Sequence, residues 1–274
     1  MPHTPLSFPQ KPPPVVLVFA ASDPTSGAGA QADLLTLAAL DCHPVTAITA
    51  LTAQDTVGVY SLNPVAAEQV AAQARVVLAD MSVAAFKIGV LGSANNARVV
   101  ADIVAEYPDI PLVLDPVLAS GRGDAFADEA LIAVLREKLL PRATLITPNT
   151  PEARRLSGCA TDDFASIAAR LVALGARHVL LTGAHEAEES VCNRLYDASG
   201  LLDTSAWARL PDGFHGSGCT LATACAAYLA QGKDVPDAVR AAQGFTWQSL
   251  AHAFHPGKGQ YIPDRFWRQK HGVA

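Results

Sequence analysis

Phe-His-Gly-Ser-Gly-Cys-Thr, residues 214–220, stands directly before an Ala-rich apolar stretch. Glycines 216 and 218 let the backbone turn so that successive N–H groups point outward, and a helix beginning there adds a positive partial charge. A turn of that kind holds a phosphoryl group while negative charge spreads over its oxygens during transfer. Spacing alone leaves an ordinary glycine-containing helix entry equally open. Cys219 falls in the first helical turn, where the dipole favours a thiolate able to take a proton from a substrate hydroxyl. The alternative is a small buried apolar residue.

Four further segments carry polar residues where chemistry needs them. Ser22–Leu34, SDPTSGAGAQADL, has glycines at 27 and 29 that match half of a dinucleotide fingerprint. Ala32 stands where the third glycine belongs, and Asp55 is available as the acidic residue such a reading requires. In TPNTPEA, 147–153, Asn149 and Glu152 share one face of a helix start: Glu152 reaches toward a metal or its water shell, or the two close a capping box. Asp115 ends the run PLVLDP, either as a second carboxylate for Mg²⁺ or as a turn-forming residue. Lys87, inside the apolar run FKIGVLG, must be paired with a carboxylate or lie close to an anion. His185, His215 and His255 share no ligand spacing and read as structural or exposed.

The elements that must position these residues follow from apolar periodicity. Short runs rich in Val, Ile and Leu, at Val15–Ala20, Val45–Leu51, Ala84–Val90, Leu112–Leu114, Thr144–Ile146 and Val179–Leu181, read as buried parallel strands. Helical spacing lies between them, at Gln31–Leu40, Ala66–Ala79, Ala97–Tyr107, Ala127–Leu139 and Phe164–Leu174. This alternation predicts an α/β fold, a mostly parallel sheet with helices on both faces. Val191–Tyr196 and Leu201–Leu210, joined by a turn at 197–200, read as an edge hairpin. Helices at Gly218–Ala230 and Val235–Phe254 follow. Ligands of such sheets gather beyond the carboxyl ends of the strands, where the polar segments above are expected.

Composition narrows the function classes. Of 274 residues half are apolar and 17% charged, with net charge −6 and mean hydropathy +0.22, so no basic face for nucleic acid is expected. Five scattered cysteines without CxxC pairs read as reduced thiols in a cytoplasmic protein. No apolar run is long enough for a membrane span, and a Pro-rich tail at 1–14 is expected ahead of one domain at 15–274.

Taken in order, AASDPTSGAGAQADL, TAITALTAQDT, FKIGVLGS, LDPVLASGRGD, LITPNTPEA, LLTGAH and FHGSGCTLATA resemble the hydroxymethylpyrimidine and phosphomethylpyrimidine kinases of thiamine biosynthesis, from about Val15 to about Phe254. The wider resemblance is to ribokinase-like kinases, pyridoxal kinases among them. It implies a three-layer αβα sandwich without a separate lid domain, a homodimer, ATP and Mg²⁺ as cofactors, and a small pyrimidine as substrate. It also implies an anion hole at Gly216, Ser217, Gly218 and Cys219, with Cys219 as catalytic base. Asp33 and Gln54 match substrate-binding positions, Gln54 reading the aminopyrimidine with one donor and one acceptor. Asp115, Asn149 and Glu152 match positions that organise Mg²⁺ and nucleotide phosphates, and Thr182 falls in the nucleotide-binding stretch.

This chain departs from that family in two places. Thr182-Gly183-Ala184-His185 replaces a Lys-Gly-Gly-His stretch, and Phe214 and Ser217 replace two threonines around the glycine turn. A pyridoxal kinase and a non-catalytic pyrimidine-binding protein are the rival readings.

Overall fold

The first strand, β1 (Val15–Ser22), is apolar almost throughout because both of its faces are covered. Val16, Val18 and Ala20 pack toward one helix layer, and Leu17 and Phe19 toward the other. In the computed structural model, which describes residues 12–119, 126–161, 163–184, 189–211 and 213–272, β1 lies between β2 (His43–Gln54) and β4 (Val83–Ile88), parallel to both. Parallel pairing continues through β5 (Leu112–Leu114), β6 (Leu145–Ile146) and β7 (Val179–Leu181). The edges are antiparallel: β3 (Val59–Pro64) on β2, and the hairpin β8 (Ser190–Asp197) and β9 (Gly200–Ala208) on β7. One nine-stranded sheet results, in the order β3-β2-β1-β4-β5-β6-β7-β8-β9.

Helices α1 (Gly29–Ala39), α7 (Ser217–Ala230) and α8 (Val235–Ala251) cover one face. On the other lie α2 (Ala67–Asp80), α3 (Ala94–Ala105), α4 (Glu129–Val134), α5 (Thr150–Ser157) and α6 (Phe164–Ala173). Phe19 and Phe86 anchor that second core with ring centroids 6.4 Å apart, each worth about 1.5–3 kcal/mol of burial. Helix α7 is buried on all sides from Thr220 to Leu229, and its alanines let it run close to sheet, α1 and α8 alike. Short α9 (Trp267–His271) follows a segment whose backbone pairs with residues 213, 249 and 254.

The α/β sandwich is as expected, with differences at its margins. Strand β3 is an edge whose exposed side chains and terminal proline give no apolar run. The helix expected over Ala127–Leu139 is α-helical only to Val134, then widens into a π turn over Leu135–Leu139 and tightens into a 3₁₀ turn at Leu140–Arg142, where Pro141 cannot continue a regular helix. Helix α8 stops at Ala251, three residues before the expected end, and Phe254 pairs with Ile262 instead. Of the expected tail, residues 1–11 lie outside the described residues, as do His185 and residues 120–124 of the LDPVLASGRGD motif. No helix among the described residues is long and apolar enough to cross a membrane.

Candidate active site

The chain leaves β1 through a loop that Asp23 organises. Its buried carboxylate accepts the N–H groups of Thr25 (2.8 Å) and Ala28 (2.7 Å), the Thr25 hydroxyl (3.0 Å) and Nε2 of His215 (2.8 Å). These partners hold it below the usual carboxylate range, although burial, the largest influence, pushes the other way. Ala28 offers no side-chain cap to α1, and its own N–H is taken by Asp23, five residues upstream. His215, one residue before the glycine turn, thereby ties that turn to the first loop.

Gly216 caps α7 with φ +79°, and a Cβ there would collide with the Gly27 carbonyl. Only glycine allows the two loops to meet backbone to backbone. The N–H groups of Ser217, Gly218 and Cys219 lie in the first turn of the helix and have no intrahelical acceptor. Gly218 faces open space, so nothing obstructs an anion approaching them.

A cavity of about 520 Å³ opens over this turn. It is lined by Gln54 from the end of β2, Asp115 after β5, Asn149 and Glu152 at the start of α5, Thr182 after β7, and the whole turn Gly216–Cys219. All the site residues expected from sequence therefore converge on one space, with one exception. Asp33 is fully buried beneath it, held by Lys87 Nζ at 2.9 and 3.0 Å and by the Thr223 hydroxyl. A substrate contact for Asp33 is corrected accordingly: its two oxygens are committed to a buried ammonium and a hydroxyl. The partner that Lys87 required is found in the same stroke, and Gly89 leaves the room its side chain needs.

Asp115 and Glu152 are less well served. Asp115 Oδ2 is buried without a hydrogen-bond partner, 4.0 Å from Lys87 Nζ. Burial pushes its carboxyl up to about 6, with Lys87 opposing and Asp33 adding to the shift. Glu152 closes a capping box with Asn149, its Oε2 accepting the Asn149 N–H at 3.0 Å while Oε1 accepts that of Leu118 at 3.3 Å. Even so, burial and then the Asp115 charge push it up to about 8. Two carboxyl groups that resist ionising side by side suit a hard divalent cation. Among the described residues no group of three or more His, Cys, Asp or Glu side chains could by itself hold a metal ion.

Cys219 meets the Gly29 N–H as well as its own helix start. The sequence leaves a thiolate or a small buried residue open there; burial pushes the thiol up to about 12, with Lys87 lowering it and Asp115 and Asp33 raising it, although the residue is only half-buried and lines the cavity. Desolvation outweighs a half-charge at a helix end when the sulfur is enclosed and anions lie nearby. Asp55 is corrected too, away from a dinucleotide role. It accepts the N–H groups of Val57 and Gly58 in the β2–β3 turn.

Sequence reasoning missed three groups. Arg265 at the C-terminal end of the fold reaches the first loop; Trp207 and Trp247 stack 6.2 Å apart along the cavity wall; and the Thr246 hydroxyl there is buried without a partner. None stands in a recognisable motif. A buried cation amid the polar run PDRFWRQK gives no periodic signal.

Similarity to known proteins points to one family. A family model described as phosphomethylpyrimidine kinase matches residues 23–264. A hydroxymethylpyrimidine/phosphomethylpyrimidine kinase of Streptomyces coelicolor is 40% identical over 262 residues, covering 93% of this chain and 95% of that protein. A thiamine biosynthesis bifunctional protein of Geobacter sulfurreducens is 38% identical over 247 residues, 89% of this chain and 50% of its own length. Among solved structures, an ADP complex of Bacillus subtilis pyridoxal kinase superposes with a TM-score of 0.84 at 30% identity, covering 92% of this chain and 97% of that one.

Proposed function

This chain belongs to the phosphomethylpyrimidine kinase family, and from that premise we propose that it moves the γ-phosphoryl group of ATP to the hydroxymethyl oxygen of 4-amino-5-hydroxymethyl-2-methylpyrimidine, and then to the monophosphate, for thiamine diphosphate. It is a phosphotransferase. The observation that carries the site assignment is the unpartnered Asp115 Oδ2 sharing one cavity with the glycine turn and Gln54.

The N–H groups of Ser217, Gly218 and Cys219 receive the transferring phosphoryl oxygens. As the hydroxymethyl oxygen bonds to the γ-phosphorus, the bond to the β,γ-bridging oxygen breaks and ADP leaves with that electron pair. The hydroxyl proton passes to Cys219. The sulfur takes it as a thiolate, having first released its own proton to solvent against its burial, aided by Lys87 and the Gly29 N–H, and a loose transition state lets the hydroxyl proton leave late. Mg²⁺ held at Asp115 and Glu152 would neutralise charge on the phosphates. Asn149 and Thr182, joined by a parallel bridge, line the nucleotide side, and the Trp207–Trp247 stack suits the face of its base. Gln54 Nε2 donates to Thr52 Oγ1 at 2.7 Å, which fixes the amide and leaves Oε1 to accept from an exocyclic amino group.

Similarity to pyridoxal kinases favours a second reading, phosphorylation of pyridoxal in the same cavity. A homodimer in the cytoplasm belongs to the first reading, and light scattering tests the dimer. ADP release measured across hydroxymethylpyrimidine, its phosphate and pyridoxal decides among the substrates. Gln54→Ala should raise the pyrimidine KM by about five- to 150-fold, as a loss of 1–3 kcal/mol requires, and an unchanged KM would remove Gln54 as the reader. Ligand-induced thermal stabilisation without ADP release would instead identify a binding protein.

A further inference from the structure

Arg265 is 3% exposed and reaches from the C-terminal segment to the junction of both catalytic loops. Its Nη2 donates to the Gly27 carbonyl at 2.6 Å, Nη1 to that of Ser26 at 3.3 Å, and Nε to the Thr220 hydroxyl at 3.2 Å. That hydroxyl in turn donates to the Gly216 carbonyl at 2.8 Å. The guanidinium thus wraps the point where Gly216 backs onto Gly27, behind the N–H groups that face the cavity. All its partners are neutral. Among the described residues no carboxylate lies within ion-pair distance of it: Asp23 is committed to His215, and Asp264 to Lys270 at 2.6 Å. Burial, the largest influence on it, pushes the guanidinium down to about 10.

A buried cation that Asp23, Asp33 and Asp264 attract only from beyond ion-pair distance is costly unless an anion arrives to match it. The space in front of this one is the glycine turn. We propose that Arg265 is a positioning residue of the phosphoryl-binding turn, fixing its register against the first loop and supplying, from behind, positive charge for the anion that the turn receives. It lies one residue beyond the segment matched by the family model. The inference rests on the kinase reading for the identity of that anion.

Three variants and one anion test it. Arg265→Gln removes the charge, Arg265→Lys keeps the charge without the fork, and Thr220→Val removes the acceptor of Nε while keeping the charge. Arg265→Gln should lower kcat about tenfold or more, less than the loss of a direct oxyanion donor because it acts through the turn, with the pyrimidine KM within twofold of wild type. Arg265→Lys should recover part of kcat, and Thr220→Val should lose roughly three- to tenfold. Inorganic sulfate should raise the thermal midpoint of the wild type more than that of Arg265→Gln. The inference is overturned if Arg265→Gln keeps kcat within twofold, or if the Lys and Gln variants lose kcat equally while sulfate stabilises both as it does the wild type. Should Arg265→Gln not fold, wild-type kcat in Thr220→Val overturns it as well. A wild type that releases no ADP would fail the kinase reading, while the sulfate arm still decides the role of the charge.

Discussion

Three buried acidic groups lie around Cys219, and the chain treats the one beneath the cavity and the two along its wall in opposite ways. Beneath the cavity, Asp33 is saturated by Lys87 and Thr223 and exposes nothing. Along its wall, Asp115 leaves one oxygen unmatched and Glu152 holds its proton up to about pH 8. Both sites bury carboxyl groups, so burial does not distinguish structure from function. Completeness of pairing does. A carboxylate whose partners are all supplied by the fold contributes rigidity, and one left short of partners is waiting for a ligand.

The strongest way to break this comparison is to unpair the floor. Asp33→Asn leaves Lys87 a buried ammonium with only Asp115, 4.0 Å away, as counter-charge and should destabilise the protein by about 3 kcal/mol in urea unfolding. The double variant Asp33→Asn/Lys87→Met should recover much of that loss. A single variant of wild-type stability but without turnover would return Asp33 to the substrate.

Cys219, between the two regions, comes next. Cys219→Ser should lose about 10²–10⁴-fold in kcat with nucleotide binding retained, and a variant within a few-fold of wild type would remove the sulfur as proton acceptor. Because burial pushes this thiol up to about 12, iodoacetamide should react slowly at neutral pH and faster as pH rises.

A smaller effect sharpens the wall. Glu152 keeps its proton in the folded state up to about pH 8 but loses it near 4.5 when unfolded. The unfolded chain therefore binds fewer protons in that window, and stability should fall as pH climbs from about 4.5 to about 8. Glu152→Gln should flatten that slope while depressing magnesium-dependent turnover. Magnesium ions should stabilise the wild type more at pH 8 than at pH 6. A pH slope unchanged by Glu152→Gln would leave the residue as a helix cap alone.

The smallest change is Thr223→Val, which deletes one hydrogen bond to Asp33 but keeps the ion pair. A cost of about 1 kcal/mol in thermal or urea unfolding, with kcat unmoved, is expected. A fall in kcat here would join floor and wall into one functional unit.

Much of this arrangement was legible in the sequence, for reasons that particular residues make plain. The strands β1, β4 and β5 announce themselves because burial on both faces demands unbroken apolar runs. Asn149 and Glu152 sit at a spacing that any helix start would use, and both the cap and the cavity-facing position follow from it. Lys87 could be read as paired, because an apolar strand offers an ammonium no other resting place. Its partner could not, since Asp33 is 54 positions away and its direction depends on how α1 packs over β4. The charge state of Cys219 was not legible for a related cause. A helix start is a local feature, whereas desolvation is set by everything that closes around the sulfur.

The reach of Arg265 back to Ser26 and Gly27 spans 238 residues between its nitrogen and the Gly27 carbonyl. Synthesis is vectorial, so the first loop leaves the ribosome long before the residue that fastens it to the turn. A nascent chain that has folded its sheet still lacks the brace behind its anion-binding turn until position 265 has emerged. The two loops that meet at Gly27 and Gly216 are therefore both made before the side chain proposed to brace them.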